Sequence, residues 1–318
     1  MPTILTPKDR EDWLAMRAED VTSTEVSALF ADPVTGASLS PYMTDYELYH
    51  IKAGLTEDTF EENERMKWGK RLEASIAAGI AEDLGVKIEP YNHYVRHDKE
   101  PRFGASFDFR IIDHPKGLGN LEIKNVDGLV YRNKWSETEA TDYIELQVQA
   151  QMEIADIEWT LICALVGGNE PKFIYRDRDR EVGAALCDAV RDFWILVDAG
   201  IPLAPNYARD SDFIVSLHQS AGVNLLETED EEMMDRLKSH YNIGQEIKAL
   251  ETERKEVKAR IIDEVGDEYN KVKAGRYTLS CGMTKETPAT EITEEMVGES
   301  YGGRKSYRTF RVTEKKGE

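Results

Sequence analysis

The most constraining feature of this chain is the run Trp159–Val166 (WTLICALV), which is apolar almost throughout and contains no charge and no turn former. A run this short and this apolar fits a strand buried on both faces, at the centre of a sheet with helices packed against it. Its surroundings agree. Asp142–Ile154 has helical periodicity, and Lys172–Arg176 reads as a neighbouring strand. Val182, Leu186, Val190, Phe193 and Val197 then mark an amphipathic helix.

Upstream, Thr6-Pro7 predicts a helix start before Lys8–Ala18, and Thr22-Ser23-Thr24-Glu25 fits a capping box before Val26, Leu29 and Phe30. A longer helix is expected over about 60–84, with Leu72, Ile76, Ile80 and Leu84 in one stripe and Gly85 as its stop. The period then changes. Gly104–Ile112 (GASFDFRII) and Leu121–Val126 (LEIKNV) read as two strands of a hairpin, joined by the turn-rich segment 113–117. Together these elements predict an α/β (α+β) core, a mixed central sheet flanked by helices. The expected organisation is a core over 1–215, a charged helical arm or short coiled coil over 216–275, and a small strand-rich tail over 276–318. The arm carries Ile243, Ile247, Leu250, Val257, Ile261 and Val265 at three- and four-residue steps, with Arg254 in the same stripe.

With 61 acidic against 40 basic residues, the net charge is −21, which counts against a broad basic surface for nucleic acid. A local basic channel on an acidic protein remains compatible with it, and metal-binding carboxylates add to the acidity. Cys163, Cys187 and Cys281 are far apart and form no CxxC pair, so a zinc ribbon or iron–sulfur cluster has no support. The expectation is a soluble cytoplasmic protein with reduced thiols, no apolar leader and no membrane span.

Candidate chemistry centres on Asp108 and on Glu122-Ile123-Lys124. Alternate strand residues share a face, so Glu122 and Lys124 project together while Leu121 and Ile123 enter the apolar layer. If the hairpin brings Asp108 beside them, two carboxylates suit a hard divalent cation, and a lysine beside it can orient or help deprotonate a water. A surface strand with a Glu–Lys pair is the plainer alternative. Glu73 borders the apolar stripe of its helix, where an unpaired carboxylate is costly. Gln147 and Gln151 share a helix face that could reach the same place or meet only solvent. Arg17, followed by the hydroxyls of Thr22 and Thr24 at a capped helix start, could hold an anion, or the capping box could serve the helix alone. Arg65, Lys67, Lys70 and Arg71 could line a basic channel or form a solvated helix face.

The order of short motifs is more specific than any one of them. Asp12-Trp13-Leu14-Ala15-Met16-Arg17 with Val21-Thr22-Ser23-Thr24-Glu25 is followed by Trp68-Gly69-Lys70-Arg71-Leu72-Glu73, Ser106-Phe107-Asp108, Leu121-Glu122-Ile123-Lys124 and Gln147-Val148-Gln149. Over about residues 10–200 the chain resembles lambda exonuclease and its YqaJ-like relatives. The resemblance implies a PD-(D/E)xK restriction-endonuclease-like core and degradation of one strand of duplex DNA from its 5′ end. It implies Mg²⁺ (Mn²⁺ substituting) held by Asp108, Glu122 and the Ile123 carbonyl, with Glu73 supporting a second ion. Lys124 would position or activate the water, and Gln147 would help hold it. Arg17, Thr22, Thr24 and Ser106 would grip the 5′ phosphate. A trimeric ring around double-stranded DNA ends, a single-strand annealing protein as partner and a phage origin are implied in the same way. Thr24 stands where the motif has Ser, Ser23 where it has Ala, and Phe107 where it has Pro, which puts the shape of the loop before Asp108 in question. Two other readings stay open: an endonuclease of the same fold, and a catalytically silent DNA-binding or assembly module.

Overall fold

A computed structural model describes residues 1–57, 63–220 and 222–282. The chain divides into two units, Met1–Leu217 and a second beginning at His218. The first opens with β1 (Thr3–Leu5), α1 (Arg10–Ala18), β2 (Val21–Thr22), α2 (Asp45–Lys52) and α3 (Glu64–Leu84). Strands β3 (Ile88–Pro90), β4 (Tyr94–Arg96), β5 (Phe103–Ser106), β6 (Phe109–Ile111) and β7 (Gly119–Val126) follow. Then come α4 (Gly128–Lys134), α5 (Asp142–Ala155), β8 (Trp159–Val166), β9 (Glu170–Asp177), α6 (Arg180–Ala199) and α7 (Ser211–Leu217).

The strands form two sheets, where a single one was expected. A five-stranded mixed sheet has the order β3-β6-β7-β8-β9, with β7 and β8 parallel and the other pairs antiparallel. A four-stranded sheet has the order β1-β4-β5-β2. Trp159–Val166 is an interior strand, as its composition demands, and Trp159, Leu161, Ile162 and Cys163 are fully buried. On one face of the larger sheet, Leu121, Ile123, Trp159 and Leu161 pack with Ala77 and Ile80 of α3. On the other, Val126, Ile162 and Ala164 pack with Ile144 and Val148 of α5. The far end of α5, through Ala150 and Ile154, packs with Val95, Phe103 and Ala105 of the smaller sheet and with α6.

The predicted strand 104–112 is broken at Phe107-Asp108, which carries the chain from one sheet to the other. Period-2 alternation continues across the break, so residue pattern alone cannot reveal it. Phe107 is buried, with its ring edge-on to Tyr91 at 5.7 Å, and anchors the crossing in the core. Two helix starts are also corrected. Asp9, not Thr6, caps α1 by accepting from Asp12 N–H at 2.9 Å, while Thr6 Oγ1 bonds His93 Nδ1. The segment after Thr22 is only a 3₁₀ turn, Val26–Leu29, because Val21-Thr22 is drawn into β2 beside β5. Glu25 still reaches back to Thr22 N–H at 2.9 Å, one half of the expected capping box. The helix α3 begins after Asn63, whose side chain caps Met66 N–H, and ends at Gly85 with φ +64°.

The second unit holds α8 (Glu231–Val265) and the hairpin β10 (Lys271–Ala274)–β11 (Tyr277–Ser280). Ile243, Ile247, Leu250, Val257 and Ile261 are exposed along α8. The hairpin turns at Gly275-Arg276, so the expected arm–tail boundary at 275/276 falls within it. From residue 283 onward, the strand-rich tail expected over 276–318 lies outside the described residues.

Candidate active site

β7 delivers two polar side chains to the face opposite its apolar residues. Glu122 is 3% exposed and accepts from Lys124 Nζ at 2.6 Å and Gln147 Nε2 at 2.7 Å on Oε1, and from Gln151 Nε2 at 2.8 Å on Oε2. Gln147 also accepts from Lys124 Nζ at 3.2 Å, closing a triangle. Gln147 and Gln151 are one helical turn apart on α5, so their shared face meets a carboxylate and not solvent. A carboxylate offers about four lone-pair sites. The three bonds leave Glu122 room for a further partner.

Asp108 arrives from the crossing between the sheets, not from a strand. β6 ends its pairing with β7 at Phe109 opposite Leu121, so the next inward N–H of β7, that of Ile123, has no ladder partner on that side. Asp108 Oδ2 accepts from it at 3.1 Å, and the carboxylate thus takes the place of a strand carbonyl. Burial, reinforced by Glu122 and then Glu73, raises the Asp108 carboxyl well above its ordinary range. Glu73, on α3, is raised by burial and then by Glu122. Burial alone would lower Lys124, but Glu122 and Asp108 outweigh it and hold the ammonium charged.

Three carboxylates therefore crowd around Lys124, with Lys70 as a further cation acting on Glu73. The carboxylates of Glu73, Asp108 and Glu122 are hard oxygen donors with excess negative charge, the donor type that a divalent cation takes. Among the described residues, only His97, Glu153 and Cys187 bring three ligand-type atoms within 4.8 Å of one another. That cluster is already satisfied. Glu100 N–H donates to His97 Nδ1 at 2.7 Å, which occupies that nitrogen's lone pair, and Nε2 faces Glu153 at 3.6 Å. Glu153 is paired with Arg178 at 2.8 Å, and burial pushes the Cys187 thiol up to about 11, so neither a free Nδ1 lone pair nor a thiolate is on offer.

The raised carboxyls have a measurable consequence. A group that binds its proton more tightly when folded stabilises the fold at low pH and loses that contribution as pH climbs through its raised value. Asp32 and Asp98, held low by hydrogen bonds, are already ionised in that window. The metal-free protein should therefore melt at a falling temperature as pH climbs above the ordinary carboxylate range, and Mg²⁺ should restore most of the loss. A flat profile in EDTA, measured by calorimetry, would count against the shared-charge description.

A second polar cluster adjoins the first. Arg17 donates to Thr24 Oγ1 at 3.2 Å and lies near Thr22 Oγ1 at 3.4 Å, and the two hydroxyls are 3.0 Å apart. The guanidinium lies 4.7 Å from the Trp13 ring centroid, and Trp13 Nε1 donates to Ser106 Oγ at 2.8 Å. Lys70 stands 5.8 Å from the same ring. Lys52, buried under the cluster, pairs with Glu25 at 3.0 Å and donates to the Arg17 carbonyl at 3.0 Å. Arg17, Thr22, Thr24 and Ser106 are thus brought together by β2 beside β5, not by a helix terminus. Of the expected basic helix face, Lys70 joins this cluster, while Lys67 pairs with Glu64 and Arg71 covers Trp68. Residue reasoning assigned no role to Trp13 and left Gln151 undecided. The signals were the tryptophan four positions before Arg17 and the glutamine one turn after Gln147.

Residues 12–158 match the family model of the YqaJ-like viral recombinase domain. Over these residues the chain is similar to that domain. The match encloses both clusters, from Trp13 to Gln151. Solved structures similar to the chain include LHK-Exo, an alkaline exonuclease from Laribacter hongkongensis, in complex with dAMP, at 22% identity and TM-score 0.50. The similarity covers 60% of this chain and 94% of that one. A phage-related exonuclease from Haemophilus somnus 129PT is similar at 12% identity and TM-score 0.40, over 57% of this chain and 96% of that one. No curated protein sequence matches. The chain thus has a mixed-sheet fold shared with an alkaline exonuclease. No helix among the described residues is long and apolar enough to cross a membrane.

Proposed function

We propose that this chain is a Mg²⁺-dependent exodeoxyribonuclease that degrades one strand of linear duplex DNA from the 5′ end and leaves 3′ single-stranded overhangs for phage-type recombination. The observation that carries the reading is the convergence of Asp108, Glu122, Lys124 and Gln147 on one buried carboxylate cluster within the residues that match the YqaJ-like domain. Asp108, Glu122 and the Ile123 carbonyl would hold the cation, with Glu73 beside them. When bound, it supplies charge stabilisation at the phosphate and a more acidic water. Lys124, held charged by Glu122, donates hydrogen bonds, so its role is to orient the attacking water and stabilise developing negative charge, not to take the proton. Gln147 fixes the ammonium from the other side.

The end preference rests on the second cluster. Arg17 and the Thr22, Thr24 and Ser106 hydroxyls offer several donors in one place, which suits a terminal phosphate. By family likeness, the working form is a trimer on DNA ends with a single-strand annealing protein as partner, acting in the cytoplasm of a bacterial host. The acidic total charge is compatible with this reading if binding is confined to ends and to the local cations Arg17 and Lys70.

The test uses purified protein, Mg²⁺, linear duplexes bearing 5′-phosphate or 5′-hydroxyl, and closed circles. Linear DNA should be degraded, faster with 5′-phosphate, and circles should survive. Arg17→Ala should remove about tenfold to a hundredfold of that preference, since a charge-assisted contact is worth roughly 1.5–3 kcal/mol. Digestion of circles would favour the endonuclease, and inactivity of the wild type would favour the silent module.

A further inference from the structure

Gln151 lies outside both motif sets, yet it touches both clusters. Its Nε2 donates to Glu122 Oε2 at 2.8 Å and to the Ser106 carbonyl at 3.1 Å. Ser106 in turn accepts from Trp13 Nε1, and Arg17 lies over the Trp13 ring. The amide of Gln151 has one orientation open to it. Its Oε1 accepts from Asn120 Nδ2 at 3.0 Å, so the NH₂ group must face Glu122 and Ser106. Reversing it would set an amide oxygen against a carboxylate and a carbonyl. Asn120 and Gln151 are 0% and 1% exposed, and Asn120 Oδ1 has no hydrogen-bond partner among the described residues. A buried amide satisfied at only one end is a poor stabiliser, and the satisfied end is the one aimed at Gln151.

We infer that Gln151, oriented by Asn120, is a positioning residue that couples the phosphate pocket to the metal-binding carboxylate Glu122. It rests on the reading above. Both NH₂ hydrogens are used, one on each cluster, so a phosphate that draws Trp13 and Ser106 into place also sets the Ser106 carbonyl against which Gln151 holds Glu122. The coupling is reciprocal: occupation of either cluster favours occupation of the other. Glu122 has its remaining acceptor capacity fixed in direction by this arrangement, as outer hydrogen bonds fix ligands elsewhere.

The experiment measures Mn²⁺ affinity by calorimetry in the presence of a duplex with nuclease-resistant terminal linkages, bearing either 5′-phosphate or 5′-hydroxyl. In the wild type the 5′-phosphate end should tighten Mn²⁺ binding by about fivefold or more relative to the 5′-hydroxyl end. Gln151→Met keeps the length of the side chain and removes both donors, and the two ends should then give equal Mn²⁺ affinity. Asn120→Val suits a buried strand and leaves Gln151 in place but unoriented, and it should reduce the ratio in the same direction. It also guards against a misfolded Gln151→Met. A purely structural role would weaken Mn²⁺ binding equally with both ends, leaving the ratio at its wild-type value, and that result overturns the inference. If the wild type degrades 5′-phosphorylated DNA preferentially yet shows equal Mn²⁺ affinities, the coupling fails while the functional reading stands. If it shows no preference in degradation either, the pocket assignment fails first and the coupling with it.

Discussion

Asp108→Asn is expected to lower DNA hydrolysis at saturating Mg²⁺ by about a thousandfold, because loss of a proposed direct metal ligand would remove several kcal/mol of transition-state stabilisation. The same change should leave the metal-free protein as stable as the wild type at pH 8, or more so. Asparagine retains an oxygen that can accept from Ile123 N–H, while the buried charge and its repulsion from Glu122 and Glu73 disappear. The melting temperature in EDTA should therefore hold or rise, and the increment that Mg²⁺ gives should shrink. Single-turnover hydrolysis and calorimetry read the two effects separately. A variant with near wild-type activity would remove Asp108 from the site. One that is inactive and also strongly destabilised would mean that the carboxylate serves the fold.

Gly119→Ala should produce a large loss of stability. Gly119 opens β7, and a Cβ placed there would fall within the indole of Trp159, a fully buried ring at the start of β8. The obstacle is a rigid ring packed in the core, not the end of a flexible chain. Forcing a methyl group into such a site costs about 1–3 kcal/mol or more, which for a domain of this size lowers the melting temperature by roughly 3–10 °C. Because β7 also carries Glu122 and Lys124, the loss should be accompanied by weaker metal binding. Gly128→Ala in α4 is the matched control. An added Cβ meets nothing within 4 Å there, so stability should be unchanged or slightly improved. Equal melting temperatures for Gly119→Ala and Gly128→Ala would mean that β7 and β8 do not approach as described.

Much of the larger sheet was legible because its signals are local. Trp159–Val166 needs burial on both faces whatever the rest of the chain does, and it forms β8 with those bounds. Leu121-Glu122-Ile123-Lys124 alternates by strand geometry, so the shared face of Glu122 and Lys124 follows from the sequence. α3 ends at Gly85 because a left-handed residue there favours glycine. Short elements such as β1, β3 and β4 carry three residues each, too few to show a period.

The sequence by itself determined which residue types could meet: the Glu–Lys strand, the α5 glutamines one turn apart, and the ordered motifs that resemble those of YqaJ-like proteins. Only the tertiary structure decided how they meet. Alternation runs unbroken through Gly104–Ile112, yet the chain changes sheets at Phe107-Asp108, because where a strand stops pairing depends on partners distant in sequence. That crossing is what leaves Ile123 N–H without a ladder carbonyl and seats Asp108 against it. The hydroxyls of Thr22 and Thr24 reach Arg17 for a similar reason. β2 pairs with β5, residues about eighty positions apart, and that pairing overrides the local tendency to start a helix. Gln151 is the clearest case: helical spacing puts it on the face of Gln147, but only folding gives it Glu122, Ser106 and Asn120 as partners.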